Sequence, residues 1–496
     1  MLVAVAVVVG RTALIAALSS RISSAAASTD APPQNTASIA LLEGHASRHQ
    51  NKAAEETRLG PAIADDAADA ASGRLPCSSA ADCALNGECV GGTCHCDPPW
   101  KNFNATFGAC TLLDMLPVPT TACGPGCAYH GNTSVAGRPI ENSSSWGARV
   151  IPNKSGGYIM AVAESAFGCD FLATWRSNSQ TAIAVADTPL GPFKKLGVAV
   201  APWSTNPALF ESPSGELIIT TCGAGYPCAP GAVSPALTNG SCSNSQRCPC
   251  VGPPAGSCHY QQNSSNATAH FHVASSLSTG ASSFPWAAVN ATLIDFTLGQ
   301  WIPDLANPSP WMMANGTTLI MVHSAGTGGG GPVILRSVNG GADGWRGPYE
   351  VMVTARDPRW RGNTHNCEDQ FMWQDSRGAF HVIWHHYGGS ANVWLGQHAW
   401  SADGYTWSDA TPCYNNSFVL EAGGGGADGI LEPGANGGAQ RPSLLFDPKT
   451  KSPTHMYLAA SCGGGRREWS ADGYTNCKPG QYTMVVPLAH TRVEHA

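Results

Sequence analysis

The sequence predicts an all-β fold built from hairpins repeated along the chain, and three observations carry that prediction. Only 12% of the 496 residues are charged, while Gly and Pro number 56 and 36. That balance favours many short strands joined by turns over long helices. A frame also recurs. Asn206-Pro207 is followed, eight residues after the proline, by Gly215; Asn307-Pro308 leads likewise to Gly316, and Asp369-Gln370 to Gly378. Each glycine opens an apolar run: Leu217–Ile219, Leu319–Val322 and Phe380–Trp384. Finally, each unit carries a later strand pair, such as Thr181–Ala186 with Phe193, Val333–Ser337 with Trp345, and Leu395–Ser401 with Trp407. Two strands plus two make a four-stranded blade, and repeated blades make a propeller or another radial array. Units beginning near Trp146, Asn206, Asn307, Asp369 and Arg441 predict five blades over residues 138–490, closed into a ring with no long free edge.

Taken in order, residues 1–27 read as a secretory signal peptide. Leu2–Val9 and Thr12–Leu18 are apolar, and Ala25-Ala26-Ala27 offers small residues for cleavage. Residues 28–75 are rich in Ala, Ser and small acidic residues, too poor in large hydrophobes to offset chain entropy, and read as a disordered linker. Inside the second blade, residues 222–268 form an insertion with Cys222, Cys228, Cys242, Cys248, Cys250 and Cys258, expected to form disulfides rather than a zinc site. Cys462 and Cys477 are expected to close a loop of the last blade. Nineteen cysteines and ten N-x-[ST] sequons together point to an oxidising, extracellular setting. A net charge of −7 with no basic block argues against nucleic acid, and no later run is long and apolar enough for a membrane anchor.

Residues 76–111 hold six cysteines, Cys77, Cys83, Cys89, Cys94, Cys96 and Cys110, spaced C-x5-C-x5-C-x4-C-x-C-x13-C, with Gly87 and Gly91-Gly92 at turns. Spacing alone leaves fifteen connectivities open. The pattern resembles an EGF-like module. That resemblance implies the pairs Cys77–Cys89, Cys83–Cys94 and Cys96–Cys110, and a possible contact with an extracellular protein. The acidic lead of calcium-binding versions is missing at Ser72–Pro76, so no calcium is expected there. So small a module cannot build a sufficient apolar core and depends on its bridges.

Trp400–Trp407, WSADGYTW, nearly recurs as Trp469–Asn476. It resembles a shortened Asp-box, the turn of sialidases and related propellers. Its aspartate and hydroxyls are suited to bond turn backbone and its tryptophan to pack, a structural role. A sialidase would also need an arginine triad, and Arg138, Arg336 and Arg441 show no such spacing.

Taken together, the five units resemble the five-bladed propeller glycoside hydrolases of the arabinanase, β-xylosidase and invertase type. The resemblance implies an axial pocket lined by the starts of the innermost strands, with carboxylates from different blades acting as base or nucleophile, acid and tuning group. Glycoside hydrolysis needs two carboxyl groups flanking the scissile bond, one kept protonated by burial or a neighbouring negative charge. Carried over by position, the strand starts lie near Gly147, Asn206, Asn307, Asp369 and Arg441. Asp369 fits the strand-start aspartate and Glu368 the general acid. Both serve one pocket only if that strand start is irregular, because neighbours on a strand point to opposite faces. Glu141 and Asp304 could reach the axis from entry loops. Asn206 and Asn307 stand where an active member could carry aspartate. His323 and His385 recur seven residues beyond Gly316 and Gly378. Asn206, Asn307, His385, Arg441 and Trp311 are the expected substrate contacts. No cofactor and no metal is expected, and the partner implied is a polysaccharide or other glycan. Two carboxylates from different blades about 5–10 Å apart in one pocket would mark a hydrolase; a lone one would mark a binding protein.

Overall fold

The computed structural model describes residues 75–490, apart from 104–107, 122–123, 132, 136–137, 141–143, 167–170, 172–174, 176–178, 224–267, 275–285, 296–304, 325–330, 355–356, 362–366, 387–395, 416, 422–429, 432–438 and 462–480. The signal-peptide and linker expectations, most of the cysteine-rich insertion, the second Asp-box and the Cys462–Cys477 pair lie outside the described residues. Among those described, no helix is long and apolar enough to cross a membrane.

The chain is an all-β propeller of five blades. Blade one is Ser145–Pro152, Tyr158–Ser165, Ser179–Ala186 and Lys194–Val200, in that order from the axis outward. Blade two is Thr205–Glu211, Leu217–Cys222, Thr268–Ala274 and Ala287–Asp295. Blade three is Leu305–Met312, Thr318–Ser324, Gly331–Ser337 and Tyr349–Thr354. Blade four is Cys367–Gln374, Phe380–His386, Gly396–Ser401 and Thr411–Tyr414. Within each blade neighbouring strands pair antiparallel. The outermost strands of blades two and three also meet in parallel register, Leu293 with Tyr349 and Asp295 with Glu350.

Blade five corrects the expected domain start at residue 138. It takes three strands from Gln440–Phe446, Pro453–Ser461 and Gln481–Pro487, and its fourth is Cys127–Tyr129, from upstream of that start. An outer strand borrowed from the front of the domain covers what would be an open edge and joins the two ends of the ring. Tyr129 is tied in further: Ser145 Oγ of blade one donates to its carbonyl at 2.9 Å.

Alternation along the second strands explains the closure. Successive side chains point to opposite faces of a sheet, so Ile159 faces blade two and Met160 faces blade five. In the same way Ile218 and Ile320 meet between blades two and three, and Leu319 and Val382 between three and four. Ile383 and Met456 meet between four and five. The fully buried aliphatic side chains of these seams contribute about 1.5–3 kcal/mol each, set against the entropy of ordering them. The frame glycines Gly215, Gly316 and Gly378 have φ of 87°, 81° and 90° at the hairpin turns, a region open to glycine at little cost.

The cysteine-rich module has disulfides Cys77–Cys89, Cys83–Cys94 and Cys96–Cys110. It shares a core with blades four and five, where Trp100, Ala109 and Leu113 pack with Trp373, Tyr414 and Phe418. Trp100 stacks on Trp373 with centroids 6.3 Å apart and lies 4.7 Å from the His398 ring. Arg377, in the central turn of blade four, pairs with Asp97 at 2.8 Å and also donates to the Leu85 carbonyl. The module is thus packed against the propeller through a shared apolar core as well as an ion pair.

Candidate functional site

The innermost strand of every blade starts with the same irregularity. In blades two to five the ladder skips so that two residues oppose one: Asn206-Pro207, Asn307-Pro308, Asp369-Gln370 and Arg441-Pro442. The first residue of each pair is left-handed, with φ of 52°, 56°, 55° and 53°. Such a bulge has its first residue in the left-handed region. Asn and Asp tolerate that region, and Pro cannot donate to the ladder. Arginine there is an outlier. In blade one the bulged pair is Trp146-Gly147, and the left-handed residue is the second, Gly147, with φ 65°. A Cβ on Gly147 would fall 2.8 Å from Arg441 Cβ, so the close approach of these two strands also requires glycine.

These five starts converge on one hollow on the ring axis. Gly147, Asn206, Asn307, Asp369 and Arg441 all line it, together with Arg149, Ser309, Phe371 and Ser443 from one step further along the strands. It measures about 410 Å³, including space open to solvent. Asn206 Nδ2 donates to Asp369 Oδ1 at 3.3 Å and to Asn307 Oδ1. Arg441 Nε lies 3.4 Å from the same Asp369 oxygen; its Nη1 and Nη2 donate to the Trp146 carbonyl at 3.1 Å and Thr205 Oγ1 at 3.3 Å. One guanidinium therefore links blades one, two, four and five.

The bulge at Asp369-Gln370 sends the Asp369 carboxyl into the hollow, whereas Glu368, still in register with His385, is not among the residues that line it. Asp369 lines the hollow. Gln370 turns instead to the carbonyls of Asn307 at 2.5 Å and Met321 at 3.2 Å. Glu368 pairs across the ladder with His385. Burial first, and then the Asp369 charge, push the Glu368 carboxyl up to about 7, while Arg441 opposes the rise. A carboxyl in that state holds its proton in mildly acidic solution and can donate it.

The other expected contacts divide. Asn206, Asn307 and Arg441 are brought together at the hollow. His385 is buried on the second strand of blade four, facing Glu368 rather than the hollow. Trp311 is partly buried in the packing between blades, with Phe446 at 6.1 Å, and does not line the hollow. Glu141 and Asp304 lie outside the described residues. Arg149 lines the hollow and was not expected from sequence. Glu164 was also missed, although it falls seven residues after Gly157, the same offset that marked His323 and His385. It is fully buried, 2.7 Å from Lys195 Nζ and 3.3 Å from the hydroxyl of Tyr129, and so fastens the closing strand to blade one.

No family model matches the chain, and no curated protein matches it. Solved structures to which it is similar include glycoside hydrolases. One is a family 117 glycoside hydrolase of the marine bacterium Zobellia galactanivorans, with 10% identity over 71% of this chain and 86% of that one, at a TM-score of 0.42. Another is an α-L-arabinofuranosidase of Podospora anserina, with 8% identity over 76% and 98% of the two chains and a TM-score of 0.42. A third is a family 43 enzyme of Xanthomonas citri, with 9% identity over 71% and 90%, at a TM-score of 0.37.

Proposed function

We propose that the protein is a secreted carbohydrate-active protein whose axial hollow is a glycoside hydrolase site. The observation that carries this reading is the convergence of five left-handed strand starts, one of them the outlier Arg441, on a single polar hollow. Backbone strain of this kind gathers where a site requires it. In this reading Glu368 is the general acid. Asp369, held by Arg441 and Asn206, keeps the negative charge beside it that raises its proton affinity. Asn206, Asn307 and Ser309 offer amides and a hydroxyl to sugar hydroxyls. The base or nucleophile comes from Glu141 or Asp304 on another blade.

The test is release of reducing sugar from a panel of plant, algal and microbial glycans. Glu368→Gln is expected to lower the rate by about a hundredfold or more, with bound ligand retained. Equal rates for wild type and Glu368→Gln would remove the assigned acid.

A second reading is a non-catalytic glycan-binding propeller. It is favoured by amides at two ring positions and by the origin of Glu368 and Asp369 in one blade. Binding without bond cleavage, unchanged by Glu141→Gln and Asp304→Asn, would establish it.

A further inference from the structure

Arg149 is placed unusually for an arginine. It is 7% exposed, on the innermost strand of blade one, and lines the hollow. Its Nη1 reaches across the axis to the Pro310 carbonyl of blade three at 3.0 Å, and its guanidinium lies 4.7 Å over the Phe371 ring of blade four. Arg441 in the same hollow has Asp369 beside it, but no carboxylate lies within ion-pair distance of Arg149 among the described residues. One carbonyl and one ring face leave most of its five N–H donors unused. Burial alone pulls its proton affinity down, to about 10, so the group remains a cation at any physiological pH. A buried cation is costly without a counter-charge. The remaining lining is neutral or already paired: amides at Asn206 and Asn307, hydroxyls at Ser309 and Ser443, and the Asp369–Arg441 pair.

We propose that the axial hollow selects an acidic sugar residue, and that Arg149 is the specificity-determining group that receives its anionic substituent. This rests on the carbohydrate reading above and adds the substrate class to it. A planar guanidinium on an aromatic face can pair in bidentate fashion with a carboxylate or a sulfate ester. The neutral amides and hydroxyls around it suit the sugar's hydroxyl groups. Uronates and sulfated sugars share this chemistry, and the experiment separates them.

Binding of the full-length protein is measured by calorimetry with four probes: trigalacturonate, its fully methyl-esterified form, galactose 6-sulfate and galactose. At least one charged probe is expected to bind about 10–100-fold more tightly than its neutral counterpart, the worth of one charge-assisted hydrogen-bonded pair. The preferred pair identifies carboxylate or sulfate as the substituent. Arg149→Gln is expected to abolish the preference, and Arg149→Lys to restore part of it. Equal binding of charged and neutral probes by wild type would overturn the inference and leave the carbohydrate reading standing. Absence of binding by all four, together with no cleavage across the glycan panel, would overturn both. If Arg149→Gln fails to fold, the wild-type comparison alone decides.

Discussion

At the scale of single residues, the hollow is organised by left-handed backbone conformations, which Gly, Asn and Asp tolerate and arginine does not favour. Asp369 at φ 55° and Arg441 at φ 53° face each other across the hollow, with Arg441 Nε 3.4 Å from Asp369 Oδ1. Asp369→Asn is expected to keep the fold, because Asn also tolerates this region. Asp369→Ala should cost about 1–2 kcal/mol in denaturant unfolding from the backbone alone. Glu368, next to Asp369, makes the stability of the fold depend on pH. Its carboxyl rises from 4.5 to about 7 on folding, so the folded chain holds that proton more tightly than the unfolded one. The associated stability is complete below about pH 4.5 and is lost as pH rises through about 7, a change of about 3 kcal/mol at most. Glu368→Gln should therefore match wild type in Tm at pH 4.5 and exceed it at pH 8. A Tm difference between wild type and Glu368→Gln that stays level across that range would contradict the burial described for this carboxyl. The positions of Asn206, Asn307, Asp369 and Arg441 were legible in the sequence because turn residues next to prolines or glutamine repeat in a fixed frame. Arg149 was not. Its burial is set by Pro310 and Phe371, from blades that meet it only across the axis.

Among the elements, the blade-four hairpin does two jobs: its start supplies Glu368 and Asp369, and its turn holds the disulfide-bonded module. The Asp-box turn beside it behaves as its residue types require. Asp403 accepts from the Tyr405 and Thr406 amides at 2.7 Å, and Trp407 donates to the Gly404 carbonyl at 3.0 Å while packing on Trp360. Trp100→Ala should destabilise the module and blade four together by about 3–5 kcal/mol, seen as one shifted thermal transition; two separate transitions would show independent units. Below Trp100, His381 and His398 stack fully buried, Nδ1 to Nε2 at 3.2 Å, with Asp375 3.6 Å from His381 and Arg377 on the same turn. Burial holds both imidazoles below 6.5, His398 well below, although Asp375 works against this at His381. The folded state takes up fewer protons here than the unfolded chain, so this contribution is present above about pH 6.5 and is lost as pH falls. His398→Phe is expected to flatten the acid side of the stability profile as pH falls below about 6.5, measured by urea unfolding. The six module cysteines were legible by spacing. The packing of the module on Trp373 was not, because nothing local in Trp100 or Trp373 specifies its partner.

For the whole molecule, the ring is the unit that matters, and it depends on a strand of three residues. Cys127–Tyr129 is too short to register as a strand in the sequence, so residue 138 looked like a sufficient start. A shortened chain beginning at residue 138 is expected to lose cooperative unfolding and to associate, whereas one beginning at residue 112 keeps the closing strand; circular dichroism melting and size exclusion distinguish them. The hairpin frame was legible because periodic residues encode it, while closure is a long-range pairing with no periodic mark. The parallel bridge between Leu293 and Tyr349 has a mechanical consequence. Blades two and three share backbone pairing at their rim and are expected to move as a single plate, leaving four bodies to flex rather than five. Any dilation of the central aperture must then come from the remaining joints, and amide protons of that bridge should be among the last at any rim to exchange with deuterated solvent.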